Sequence, residues 1–270
     1  MSLLRKVCQR ISDPVFYRKQ LRRLSRIATS PGGKTEPRVD WKGWLSLNRV
    51  VVVVAHPDDE TFCSGLLLDL VAAGVSVEIL CLTRGEGGPT GAYSREELGA
   101  VREEEMKRAC EALGISRVEF LGHVDPVARG YRVFAPKVRK EALAEQLQPL
   151  IRDADLVVSH GSCGEYWHPA HLLVFDAVGL AAEEEGLGWM TILARNPEHP
   201  IPRLVNRDDR ADLRFDVATR RSKREEALEC HQSQLGLFGR FAGGSWKDFV
   251  EQTAVETYCL RKPPRDRESG

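Results

Sequence analysis

Two short clusters of histidine and carboxylate stand out in the chain, His56-Pro57-Asp58-Asp59-Glu60 and His168-Pro169-Ala170-His171. Their residue types suit hydrolysis by a metal-activated water. A catalytic zinc commonly takes three N/O ligands and keeps a position for water, whose pKa the ion lowers to about 7. His56, Asp59 and His171 supply such a set. Asp58, adjacent to a ligand and not needed as one, is placed to accept the water's proton as general base. His168 remains for the developing oxyanion. A lone histidine is usually a surface or core residue, and Pro-Asp-Asp alone is an ordinary acidic turn. It is the pairing with a His-x-x-His after a second apolar run that points to a site. Glu60 has two readings, a carboxylate steadying a ligand from behind or an early helix-turn acid favoured by the dipole.

Both clusters need an element to hold them, and both follow one. Val51 to Ala55 runs into His56, and Asp155-Leu-Val-Val-Ser-His160 precedes the second cluster. Groups at the carboxyl ends of strands in an open α/β sheet converge on one crevice, so residues far apart in sequence can face one ion. Pro57 fixes a φ angle in the turn after the first strand, which lets His56 and Asp59 point the same way. The rest of the pattern predicts strands at Arg49 to Ala55, Ser76 to Thr83, Val118 to Leu121, Leu156 to Ser159, Trp189 to Ala194 and Thr257 to Leu260. Helices are expected at Thr61 to Ala73, Ser94 to Leu113, Pro136 to Ile151, Pro169 to Glu185 and Arg220 to Ser233, with an irregular loop near the site over 196–212. Alternation of this kind implies an α/β fold, a mostly parallel sheet with helices on both faces.

With 270 residues, 42% of them hydrophobic, the chain can bury one large core, which excludes a fully disordered protein. The seven cysteines are an odd number without a Cys-x-x-Cys pair, as expected of reduced cytoplasmic thiols. No apolar window approaches the roughly 18 residues a membrane span requires, and no apolar stretch after the basic start makes a secretory signal. Net charge is zero, yet residues 1–49 hold 12 Lys/Arg against three Asp/Glu, leaving −9 on the remainder. The expected organisation is a basic amphipathic arm and linker over 1–46, a catalytic domain over 47–262 and a polar tail over 263–270. The arm suits peripheral contact with an anionic membrane, although a basic helix docked on its own acidic domain has the same composition. Nucleic acid is the weaker expectation, and nothing in the sequence fixes an oligomeric state.

Ala55-His-Pro-Asp-Asp-Glu60 together with His168-Pro-Ala-His171 resembles the PIG-L (LmbE-like) deacetylase family. Thr83-Arg-Gly-Glu-Gly-Gly88, Arg102-Glu-Glu-Glu-Met-Lys-Arg-Ala-Cys-Glu-Ala-Leu-Gly114 and Lys223-Arg-Glu-Glu-Ala-Leu-Glu-Cys-His-Gln-Ser-Gln234 are similar to that family too. The likeness spans roughly residues 49–261. It implies a Rossmann-like domain and metal-dependent removal of acetyl from an N-acetylated amino sugar conjugate. It assigns His56, Asp59 and His171 to Zn2+, with Fe2+ or Co2+ as alternatives, Asp58 to the base and His168 to the oxyanion. It also places Arg102 and Asp125 at the substrate, the guanidinium on Asp58 or a sugar oxygen and the carboxylate on sugar hydroxyls. One departure stands out: the family's second motif commonly reads His-Pro-Asp-His, and here the aspartate is Ala170. His168 then acts as a neutral donor, borrows Glu165, or works more slowly.

Two rivals come from other classes. Two histidines and a carboxylate also define the facial triad of Fe(II) oxygenases. A non-catalytic membrane or nucleic-acid adaptor with a structural metal is the second, but structural zinc usually has four protein ligands and three are evident here.

Overall fold

The computed structural model describes residues 47–89, 93–127, 133–194 and 211–264. The arm expected over 1–46 lies outside them, as do residues 196–210 of the expected loop and 265–270 of the tail. Seven strands form one sheet in the order β3-β2-β1-β4-β5-β7-β6. At its centre is β1 (Arg49–Val54), flanked by β2 (Ser76–Thr83) and β4 (Leu156–Ser159). Outside these lie β3 (Arg117–His123) and β5 (Gly188–Leu193). These five are parallel. The long β7 (Val255–Lys262) runs back along β5, and β6 (Leu213–Asp216) pairs antiparallel with β7 at the edge.

A strand inside a parallel sheet is covered on both faces, and β1 carries only valines between its ends, Val50 to Val54 all fully buried. Burying each contributes about 1.5–3 kcal/mol, so the strand that delivers His56 is the best anchored part of the sheet. Val50, Val52 and Val54 face one core, shared with α1 (Ser64–Ala72), α2 (Arg95–Ala112) and the C-terminal helices α5 (Arg221–Glu229), α6 (Leu235–Ala242) and α7 (Trp246–Gln252). Val51, Val53 and Ala55 face the other, built with α3 (Lys140–Ile151) and α4 (Pro169–Glu184). No helix among the described residues is long and apolar enough to cross a membrane.

Three features differ from the expected elements. The helix foreseen from Thr61 is a 3-10 turn over Asp59–Cys63 before α1 begins. The helix foreseen over Arg220 to Ser233 stops at Glu229, because the chain must turn there to bring His231 inside. The edge strand β6 and helices α6 and α7 are additional: at four, eight and seven residues they are too short for a period to show.

Candidate active site

The turn leaving β1 is held by its own side chains. Asp59 accepts the His56 amide on Oδ2 at 2.8 Å, and Glu60 accepts the Asp58 amide at 3.1 Å. Thr61 donates from both its amide and its hydroxyl to the Asp58 carbonyl. These contacts keep Asp58 at φ 101°, a left-handed conformation that costs a non-glycine residue about 1–3 kcal/mol and is typical of functional turns. Behind it, Glu60 pairs with the buried His231 of the turn after α5. Of the two readings left open for Glu60, the contacts match support from behind.

The second cluster opens α4. His168 is the N-cap, its Nδ1 accepting the Ala170 amide at 3.3 Å, and Pro169 takes the first helical position, where a missing N–H costs nothing. His171 sits one turn in and is fully buried. Its Nε2 lies 3.3 Å from Asp59 Oδ1 and 3.3 Å from His56 Nδ1, while His56 Nδ1 lies 3.3 Å from Asp59 Oδ2. The two imidazole nitrogens thus stand 3.3 Å apart, and each faces a different oxygen of Asp59 at that distance. Tetrahedral ligands at roughly 2.0–2.1 Å from an ion stand about 3.3–3.4 Å apart, so the nitrogen pair has the spacing of two zinc ligands, with the Asp59 carboxylate beside both. Electrostatics point the same way: burial works against charge on His56, yet Asp125 and Asp59 raise its pKa to about 9. The carboxylates that attract a proton there would attract a metal cation too, in competition with that proton.

Asp58 is beside this set. Burial raises its carboxyl to about 7 against the pull of the Arg102 guanidinium, with Asp59 adding to the rise. Arg102, itself buried, donates to Asp58 Oδ2 at 3.2 Å, to the Pro57 carbonyl at 2.5 Å and to the Gly85 carbonyl at 2.8 Å. The glycine-rich stretch after β2 makes room for it, since a Cβ on Gly85, at φ 68°, would lie 2.4 Å from the guanidinium. Asp125, expected on sugar hydroxyls, is buried with Oδ1 3.4 Å from His56 Nε2.

Among the described residues, no carboxylate hydrogen-bonds the His168 ring. Its Nδ1 is an acceptor, so the proton is on Nε2. Burial and the neighbouring His56 and His171 push its pKa far down. Of the three outcomes allowed for Ala170, the geometry matches a neutral donor. Glu165 contacts other rings: Oε2 is 2.7 Å from His160 Nδ1 and 2.5 Å from His171 Nδ1, and these imidazoles hold its carboxyl at about 2 despite burial. The sequence marks His160 only as a strand end. A signal existed, because β1 and β4 pair Val53 with Ser159 and so bring the residues that follow side by side.

Comparison with known proteins agrees with this arrangement. The sequence profile of PIG-L, described as GlcNAc-PI de-N-acetylase, matches residues 51–182. A probable N-acetyl-alpha-D-glucosaminyl L-malate deacetylase 2 of Bacillus anthracis is 32% identical over 219 residues, covering 76% of this chain and 89% of the relative. The N,N'-diacetylchitobiose deacetylase of Pyrococcus horikoshii shares the fold with a TM-score of 0.58 at 19% identity, over 78% of this chain and 79% of its own. So does GalB, the 4-carboxy-2-hydroxymuconate hydratase of Pseudomonas putida, with a TM-score of 0.55 at 19% identity over 83% of this chain and 100% of its own. With the two motifs, their spacing and these likenesses together, the chain belongs to the PIG-L family.

Proposed function

We propose that the protein is a metal-dependent N-deacetylase that hydrolyses the acetamide of an N-acetylglucosaminyl conjugate. The observation that carries this reading is the convergence of His56 Nδ1 and His171 Nε2, 3.3 Å apart and each 3.3 Å from an oxygen of Asp59, with Asp58 adjacent in the chain. His56, Asp59 and His171 would hold the ion, most simply Zn2+, and Fe2+ or Co2+ suit the same donors. When bound, the ion polarises the acetyl carbonyl and acidifies water.

The chain's own residues do the rest. Asp58 takes the proton from the attacking water, and its raised pKa suits a base working near neutrality. Arg102 fixes the direction of that carboxylate from behind. His168 donates its Nε2 proton as a hydrogen bond to the oxygen that becomes negative as the acetyl carbon turns tetrahedral. Protonated Asp58 then gives its proton to the departing amine, and acetate leaves. Asp125 orients the His56 ring, and the sugar contact expected of it belongs to the same proposal. No covalent enzyme intermediate is needed.

Amine and acetate release from a panel of N-acetylglucosaminides, measured aerobically and anaerobically with metal-depleted and zinc-, iron- or cobalt-loaded protein, tests this. Equal release without oxygen rules out the oxygenase rival. The hydratase fold relative supplies a second reading, and hydration of a C=C bond without acetate release would establish it over ours. For residues 1–46 the reading is attachment to anionic membrane. Flotation with anionic liposomes of the full chain against one beginning at Leu47 tests it, equal recovery being the contrary result.

A further inference from the structure

Resting on the metal-hydrolase reading, we propose that Glu165 is a positioning residue that sets metal affinity through His171, with His160 as the second arm of the same clamp. Glu165 is fully buried. Its Oε2 faces Nδ1 of both imidazoles, at 2.7 Å for His160 and 2.5 Å for His171, and its Oε1 accepts the Gly161 amide at 3.1 Å. A carboxylate only accepts, so both rings carry their proton on Nδ1. That leaves the His171 Nε2 lone pair directed at His56 and Asp59, where a cation would be held. A carboxylate hydrogen-bonded to the far nitrogen of a ligating histidine fixes its tautomer and raises its basicity.

His160 looks at first like a further ligand, since its ring stacks on His171 with centroids 3.9 Å apart, and Asp59, His160 and His171 cluster closely. Its Nε2, however, accepts the Ala55 amide at 2.9 Å. With that lone pair committed to the end of β1, His160 ties the clamp to the strand that carries His56.

The backbone is bent to make this contact. Glu165 and Trp167 both have positive φ, 54° and 66°, within the short Gly164–Trp167 turn. Meanwhile Ala170, where the family motif commonly has aspartate, is a buried methyl. Position 170 thus offers no carboxylate to His168, while Glu165 stands behind His171.

Zinc affinity of the full-length chain, measured by competition with a chromophoric chelator, provides the test. Glu165→Gln is expected to weaken binding about 10–100-fold, and His160→Ala less than Glu165→Gln. Unchanged affinity in Glu165→Gln, or a loss in His160→Ala equal to that of His171→Ala, overturns the clamp. If Glu165→Gln does not fold, the tautomers in the natural protein decide by 15N-histidine NMR. A proton on Nδ1 of His171 with and without zinc supports the proposal, and a proton on Nε2 in the metal-free protein overturns it. Failure of the natural protein to bind zinc, iron or cobalt at all would count against the metal-hydrolase reading itself, so the two failures remain distinct.

Discussion

Two buried polar clusters flank the same 3-10 turn, and they are built on opposite principles. After the turn, Glu256 on β7 accepts the Gly65 and Leu66 amides at the start of α1, at 2.7 and 2.9 Å, and the Tyr258 hydroxyl at 2.8 Å. Arg224 on α5 faces it and donates to Ser64, the Val250 carbonyl and Thr253. Donors and acceptors there satisfy one another, as buried polar groups must. At the head of the turn, His56 Nδ1 and His171 Nε2 lie 3.3 Å apart and each 3.3 Å from an oxygen of Asp59. The first cluster completes itself and locks helices to the sheet; the second gathers imidazole nitrogens and carboxylate oxygens into one buried patch, from which the proposed cation site is inferred. Burial of polar residues alone does not tell a site from a strut, but the direction of their lone pairs does.

The sharpest way to break that contrast is His171→Ala. It removes a donor atom from the converging set, so metal binding and amine release should both fall to background while the protein still folds. Metal analysis after gel filtration, alongside the activity assay, checks it, and retained stoichiometric metal would place the ion elsewhere.

Asp58→Asn comes next. The amide keeps the shape and loses the base, so kcat should drop about 10²–10⁴-fold with metal content unchanged. Near-normal turnover would remove Asp58 from the proton transfer. His168→Ala should cost about 10²–10³ in kcat, again with metal retained. Because Ala170 leaves His168 neutral, that loss should be the same at every pH from about 6 to 8. A loss that shrinks as pH rises would instead indicate an imidazolium.

Arg102→Met acts through the pH profile. The guanidinium lowers the Asp58 pKa, whereas burial raises it, so removing the charge lets the pKa climb. A base must be ionised to act, and activity is lost as pH falls through its pKa. The acid limb of kcat/KM should therefore move to higher pH. A limb that stays in place, or moves down, would mean that the guanidinium does not act on the titrating group.

How far these roles can be read from sequence follows the same division. His56, Asp58 and Asp59 stand at the end of one apolar run, and His168 and His171 open the helix that follows another, so strand order and local spacing suggest that they meet. Glu165 needs more: its carboxylate reaches His171 only because the backbone takes two positive-φ steps at non-glycine residues, which no propensity announces. Glu60 and His231 meet across 171 positions through the turn after α5, and that turn was expected to be helix. Asp125 lies 3.4 Å from His56 Nε2, a contact that spacing along the chain does not show, on a loop that packs closely against Gly87. A Cβ there would meet an Asp125 carboxylate oxygen at 2.6 Å. Fold class is easier to read because β1 and most of β2 and β4 are apolar runs, whereas β6, paired with β7 among the described residues, has four residues that carry little pattern.

The smallest effect on chemistry, and the clearest on stability, should come from Glu256→Gln. The side chain keeps its volume, but an amide offers one acceptor where the carboxylate served two backbone N–H groups and a hydroxyl, and its NH2 must face a donor. Leaving a buried donor unpaired costs about 1–3 kcal/mol, to be read as a lower urea midpoint at unchanged m-value. Zinc affinity and kcat should remain as in the natural protein, because no atom of this cluster contributes to the converging donor set. If Glu256→Gln instead weakened metal binding as Glu165→Gln is expected to, the two clusters would be coupled through the 3-10 turn. The distinction between a self-satisfied strut and an open ligand set would then give way to a single network.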